Sequence, residues 1–142
     1  MYTNLQDGRS LFKLIQTLEE LQEVYPEVYP YLEQALAVNN EYSLDSCISS
    51  ILVGDSQLWV AGADEVLGAV VTEVIQYPQC KKMVIHLCAG TGLNEWMQEG
   101  LGAIEELAEK SECTAVTIYG RAGWKKLLKD YESSCIVLEK RL

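Results

Sequence analysis

Hydrophobic and polar positions change period once along this chain, near residue 57. From there on short apolar runs alternate with turn residues. Leu58-Trp59-Val60-Ala61 reads as a strand, Gly62-Ala63-Asp64-Glu65 as a tight turn, and residues 66–77 as a long second strand. Pro78-Gln79-Cys80 turns the chain into a third strand at 81–88. Three strands with short, turn-rich connections predict an antiparallel meander. Ala89-Gly90-Thr91-Gly92 then leads into a helix at 96–110, whose apolar face carries Trp96, Met97, Leu101, Ile104, Leu107 and Ala108. Residues 113–119 are a β-branched strand. A helix of crossover length separates them from 83–88, so the two strands should be parallel. Gly120-Arg121-Ala122-Gly123 should open a short helix with Trp124, Leu127 and Leu128, and residues 134–142 should form a last strand around Cys135-Ile136-Val137-Leu138.

Before residue 57 the period is helical. Residues 1–8 are polar. Ser10 is placed to cap a helix reaching Glu23, with Leu11, Leu14, Ile15, Leu18 and Leu21 on one face. Residues 27–38 read as a second helix, with Pro30 in its first turn and Asn39-Asn40 at its end. Ser43 opens a third over residues 43–53, with Leu44, Cys47, Ile48, Ile51 and Leu52 sharing a face. The prediction is one domain over 1–142 of α/β (α+β mixed-sheet) class, with a helical part at 1–55 and a mixed sheet at 57–142.

Charge narrows the partners. The 142 residues carry 21 acidic and 11 basic side chains, a net charge of -10 that repels phosphate backbones and anionic membranes. Neither direct nucleic-acid binding nor a membrane span is expected. Five cysteines without a CxxC pair, two of them (Cys88 and Cys135) inside apolar runs, read as reduced thiols in an intracellular protein. With a single histidine and no clustered ligands, no metal site is expected.

A strand that ends in glycines and feeds a helix aims free backbone N–H groups at one point, which suits an anion. The bland alternative is a βα turn that needs left-handed backbone angles.

The element order resembles the GCN5-related N-acetyltransferase (acyl-CoA N-acyltransferase) fold over nearly the whole chain. Gly68-Ala69-Val70-Val71 resembles that family's G-x-x-V strand. Residues 83–92 resemble its fourth strand and pyrophosphate turn. Gly123-Trp124 with Val137-Leu138-Glu139-Lys140-Arg141-Leu142 resembles its common ending. Tyr119-Gly120-Arg121-Ala122-Gly123-Trp124-Lys125-Lys126-Leu127-Leu128 is similar to a stretch in small proteins of this fold encoded by tailed bacteriophages, among them internal-virion or assembly proteins. The resemblance implies acetyl-CoA held at Cys88, Ala89, Gly90, Thr91, Gly92 and Asn94. The family's Q/R-x-x-G-x-G/A signature has no leading Arg or Gln here, and Glu95 and Glu99 enter the helix where a companion cation is usual.

Acetyl transfer needs a base for the ammonium proton and an acid for the departing thiolate. Glu73 and His86 are the base candidates. Glu73 interrupts an apolar run, and otherwise belongs to a solvent-facing side of the sheet. His86 has an imidazole's near-neutral acidity and should face opposite to Ile85 and Leu87. The resemblance makes Tyr131 or Tyr119 the acid, against a core tyrosine with its hydroxyl at the surface. Cys88 lacks a base–orienter pair for work as a nucleophile. Arg121, Lys125 and Lys126 form a compact basic cluster, and Tyr25, Tyr29 and Tyr31 a proline-spaced set. Either suits a viral structural or host protein partner, or a plain solvated face. Two functions follow: a phage-encoded, catalytically degenerate assembly or host-interaction protein, found in the host cytoplasm or packaged in the virion, and an active acetyl-CoA-dependent N-acetyltransferase acting on an amine.

Overall fold

The structure, a computed structural model, describes residues 2–4, 10–38, 41–120 and 122–142. Its elements are β1 (Tyr2–Asn4), β2 (Ser10–Ile15), α1 (Leu18–Leu36), α2 (Leu44–Leu52), β3 (Ser56–Ala61), β4 (Gly68–Gln76), β5 (Lys81–Gly90), α3 (Leu93–Lys110) and β6 (Ala115–Ile118), followed by a 3₁₀ turn over Ala122–Lys126. The six strands lie in the order β1-β2-β3-β4-β5-β6. Every neighbouring pair is antiparallel except β5–β6, which is parallel. The meander, the crossover helix and the parallel strand therefore stand where the hydrophobic pattern puts them.

The N-terminal third differs. The stretch read as a helix from Ser10 to Glu23 is strand β2, then the first turn of α1. Thr17 separates the two: its hydroxyl accepts from Glu20 N–H at 3.1 Å, and the Glu20 carboxylate accepts from Gln16 and Thr17 N–H at 2.8 and 3.1 Å. This reciprocal cap starts the helix seven residues after Ser10. The helix predicted at 27–38 is the second half of α1, which runs through Pro26 and Pro30. Both prolines are exposed, as is Gln22 one turn earlier. The carbonyls freed by the missing N–H groups therefore lie on the side of the helix that meets water. Val28 and Leu32, at 0% and 1% exposure, hold the other side down. Asn39-Asn40 and most of residues 1–8 lie outside the described residues. The third predicted helix is α2, with Ser43 and Ser46 in a capping box.

Residues 134–142 form no strand. They pair with no described strand, and Ile136, Val137 and Leu138 are 80%, 73% and 86% exposed. A β-branched run favours a strand only where a neighbour completes the ladder.

The sheet is covered on both faces. Leu21, Val28, Leu32 and Cys47 of α1 and α2 pack on Leu58, Val60, Ala69, Val71, Leu87 and Ala89. Trp96, Met97, Leu101 and Ile104 of α3 pack on Phe12, Trp59, Val70, Met83 and Ile85. Phe12 stacks between Trp59 and Trp96 at centroid distances of 5.4 and 6.0 Å. Each such buried ring contributes roughly 1.5–3 kcal/mol through area alone. Trp59 donates to Thr72 at 2.9 Å, and Thr72 to Gln57 at 2.9 Å, so the indole N–H and the Thr72 hydroxyl are both paired.

Candidate active site

Two irregularities in β5 build the site. The first is a bulge. Val71 lies opposite Leu87 and Thr72 opposite Ile85, so His86 has no residue across from it on β4. An extra residue changes the alternation of side chains along a strand. Ile85 belongs to the α3-side core while Leu87 and Ala89 belong to the α1/α2-side core. His86 thus shares a face with Leu87, contrary to simple alternation. The second is a parting of strands. β6 pairs with β5 only from Lys82↔Ala115 to Ile85↔Ile118. Beyond that, residues 86–90 keep β4 on one edge and no described strand on the other. Backbone N–H and C=O groups alternate between the edges of a strand, so part of this set faces the opening unpaired.

His86 and Glu73 meet at the head of that opening. Nε2 of His86 lies 2.9 Å from Oε1 of Glu73. Both base candidates are therefore brought together, from adjacent strands. An ionised carboxylate only accepts hydrogen bonds, so in this contact Nε2 is the donor. The ring of Tyr42 lies 5.4 Å from the His86 ring at 60°. Burial, then Glu73 and Glu41, raise the Tyr42 hydroxyl above its ordinary pKa. Sequence reading did not single out Tyr42. Its place before the Ser43 cap was legible; its contact across to β5 had no local signal.

Tyr119 and Tyr131 separate. Tyr119 follows the last paired residue of β6 and is 56% exposed. Burial, then Tyr77 beside it and Cys135, raise its pKa. Tyr131 lies on the α3 side of the sheet, packed against that core. Its hydroxyl donates to Glu105 Oε2 at 2.8 Å, and burial followed by this bond pushes its pKa well up. It does not join Glu73 and His86. Cys88 also packs on the α3 side, and burial pushes its thiol up to about 12, so it stays protonated.

The turn beyond β5 is shaped from inside. A Cβ on Gly90 would stand 2.5 Å from the Leu67 carbonyl oxygen and 3.0 Å from the Trp96 ring, and one on Gly68 2.6 Å from the same ring. These two glycines, opposite each other in the register, form a slot for the indole. Trp96 in turn donates to the Thr91 carbonyl at 2.8 Å, and Thr91 N–H donates to Leu67 at 2.8 Å. Within this turn only Gly92 takes a left-handed angle, φ 63°, as the N-cap of α3. Unlike α1 and α2, α3 has no side-chain cap. Its first N–H groups, at Leu93 and exposed Asn94, have no acceptor within the helix. Against these donors stands Glu95, whose carboxylate oxygen would be 3.3 Å from a Cβ at Gly92. It folds back over the helix mouth. One turn on, burial raises the Glu99 pKa, and its Oε2 has no hydrogen-bond partner among the described residues.

The surfaces marked for partners are uneven. Lys125 and Lys126 are exposed, while Arg121 lies outside the described residues. Tyr25 and Tyr29 stack at 5.8 Å, but Tyr31 turns inward and donates to Val66 at 3.3 Å. Among the described residues no cluster of His, Cys, Asp or Glu is placed to hold a metal ion, and no helix is long and apolar enough to cross a membrane.

No family model matches the chain, and no curated protein matches it in sequence. Solved structures do match in shape. A GNAT family acetyltransferase from Staphylococcus aureus superposes with a TM-score of 0.67 at 15% identity, over 93% of this chain and 98% of that one. Glucosamine-6-phosphate N-acetyltransferase from Arabidopsis thaliana gives 0.68 at 13% identity, over 92% and 97%. An aminoglycoside acetyltransferase from an uncultured soil metagenomic sample, in complex with sisomicin, gives 0.61 at 15%, over 93% and 97%. At these identities the likeness establishes the fold: an acyl-CoA N-acyltransferase-like mixed sheet.

Proposed function

We propose that this chain is an acetyl-CoA-dependent N-acetyltransferase acting on an amine. One observation carries the reading: the Glu73–His86 pair, 2.9 Å apart, stands where β5 and β6 part. The open edge of residues 86–90 fits an amide-bearing arm laid down as an added strand. The bare start of α3 fits a phosphate, less well for the presence of Glu95. Bound there, acetyl-CoA supplies an acetyl thioester whose acetyl group passes to the amine nitrogen as a C–N bond forms and the C–S bond breaks.

The chain's own residues handle the protons. Glu73 fixes His86 as the Nε2–H tautomer, and Nδ1 takes the proton that the amine nitrogen loses. Tyr119, the residue after the last pair of β6, keeps its proton through its raised pKa and is assigned here as the donor for the thiolate. The likeness to acetyltransferases supports the same chemistry.

Acetylation of a panel of amines, with the wild type and Glu73→Gln, tests it. A neutral amide in place of the Glu73 carboxylate no longer selects the Nε2–H tautomer, so turnover should fall about 10²- to 10⁴-fold. Undiminished turnover in Glu73→Gln would sink the assignment.

A second reading is favoured by the Glu95 carboxylate over the α3 mouth: a catalytically silent member that acts by binding a viral structural or host protein. The virion or assembly role rests on the motif at residues 119–128 alone. Millimolar acetyl-CoA separates the two readings. Ligand at about 100 times its dissociation constant adds roughly 2.7 kcal/mol. A shift of several degrees in Tm supports the enzyme, and none supports the silent member.

A further inference from the structure

We infer that Tyr42 is a positioning residue for the His86 base, holding the imidazole in the one orientation that hands Nε2–H to Glu73; this rests on the acetyl-transfer reading above. The bulge is the reason a third group is needed. A strand residue is normally steadied by the side chain opposite it. His86 has none, because Val71 pairs with Leu87 and Thr72 with Ile85. Glu73 fixes one edge of the ring at 2.9 Å, which leaves rotation about that contact open. The Tyr42 ring, tilted at 60° with its centroid at 5.4 Å, closes that freedom from the side. Tilted aromatic pairs at this spacing attract through their quadrupoles, so the contact selects an orientation as well as a place.

Tyr42 is itself well mounted. It precedes Ser43, whose hydroxyl accepts from Ser46 N–H at 3.1 Å while Ser43 N–H donates to Ser46 Oγ at 3.0 Å. The cap fixes the backbone next to the ring. At 41% exposure Tyr42 is not a core residue, so its removal should leave the fold standing. Its ring, not its hydroxyl, does the positioning.

His86 is the single histidine in the chain, so its ring signals can be read by NMR without assignment of others. Wild type, Tyr42→Phe and Tyr42→Ala would be compared. Wild type and Tyr42→Phe should show one tautomer with the proton on Nε2, and ring protons shifted by the neighbouring aromatic. In Tyr42→Ala the ring-current shift should vanish and the two tautomers should average. kcat should fall about tenfold, as expected of a small misplacement of a base, with KM for acetyl-CoA unchanged. Unaltered His86 signals in Tyr42→Ala would overturn the inference, as would a Tyr42→Phe variant as impaired as Tyr42→Ala. If no preparation acetylates any amine, the enzyme reading falls, and the tautomer measurement still decides the role of Tyr42.

Discussion

Replacing Gly90 by alanine tests whether the β5–α3 turn is dictated by packing. The new methyl carbon would sit 2.5 Å from Leu67 O, 2.7 Å from Gly68 Cα and 3.0 Å from Trp96 Cζ2. Relaxed contacts of this kind lie near 3.5–4.0 Å, so about 1 Å of movement is required. Two of the three neighbours are backbone of the β4 entry, and the third belongs to a tryptophan with 0% exposure. No flexible side-chain end is available to yield. Overpacking at such a place costs about 3 kcal/mol. Moving Leu67 also weakens its 2.8 Å bond from Thr91 N–H, about 1 kcal/mol more. At about 3 °C per kcal/mol for a domain of this size, Tm should drop by about 12 °C. Gly102→Ala is the control. It lies inside α3, where an added Cβ meets nothing within 4 Å. That change should stabilise by about 1 kcal/mol and raise Tm by about 3 °C. Thermal melts of the two variants by circular dichroism decide the matter. A Gly90→Ala protein melting within about 2 °C of wild type would show that the slot described for Trp96 is not tight.

Two other outcomes are expected. Glu95→Gln removes the negative charge at the α3 mouth, costing about 0.3–1 kcal/mol of helix stabilisation without ligand while tightening acetyl-CoA binding several-fold. Calorimetric titration giving equal or weaker binding would contradict the competition assigned to Glu95. Tyr131→Phe loses the 2.8 Å bond to Glu105, about 1–2 kcal/mol. Because the folded hydroxyl holds its proton to higher pH than the unfolded one, the unfolded chain deprotonates first. The wild-type advantage is therefore complete below about pH 10 and shrinks as pH rises further. Denaturant melts of both proteins across that range would show the gap closing, and a constant gap would argue against the bond.

The strands from residue 57 on were legible because their turns announce them. Gly62 and Pro78 break the apolar stretches at places where pairing also breaks, and the 89–92 run holds the end of β5. The N-terminal third misleads for a physical reason. Leu11, Leu14 and Ile15 continue the helical spacing of Leu18 and Leu21, although a strand and a helix abut at Thr17. The decisive sign was Thr17 with Glu20, a reciprocal cap outweighed by the longer apolar pattern. Pro30 reads as a first-turn residue because proline opposes a helix interior. Burial of Val28 and Leu32 outweighs that preference here. At the site, Glu73 and His86 were legible as residue types on neighbouring strands. Their meeting was not, since the register offset between Val71 and Thr72 leaves no mark in composition. The glycines of the turn were visible, but Trp96, the reason for two of them, was visible only as a core residue.

The offset at His86 also makes chain length, and not only residue identity, a determinant of the site. Remove that one residue and the ladder becomes regular: Leu87 then follows Ile85, still opposite Val71, so Leu87 and Ala89 keep the α1/α2 side, Cys88 and Gly90 keep the α3 side, and the slot for the indole survives. The extra residue seats the base on the face of Leu87, and a three-base deletion at that codon would take that seat away while leaving the latch of the turn in place.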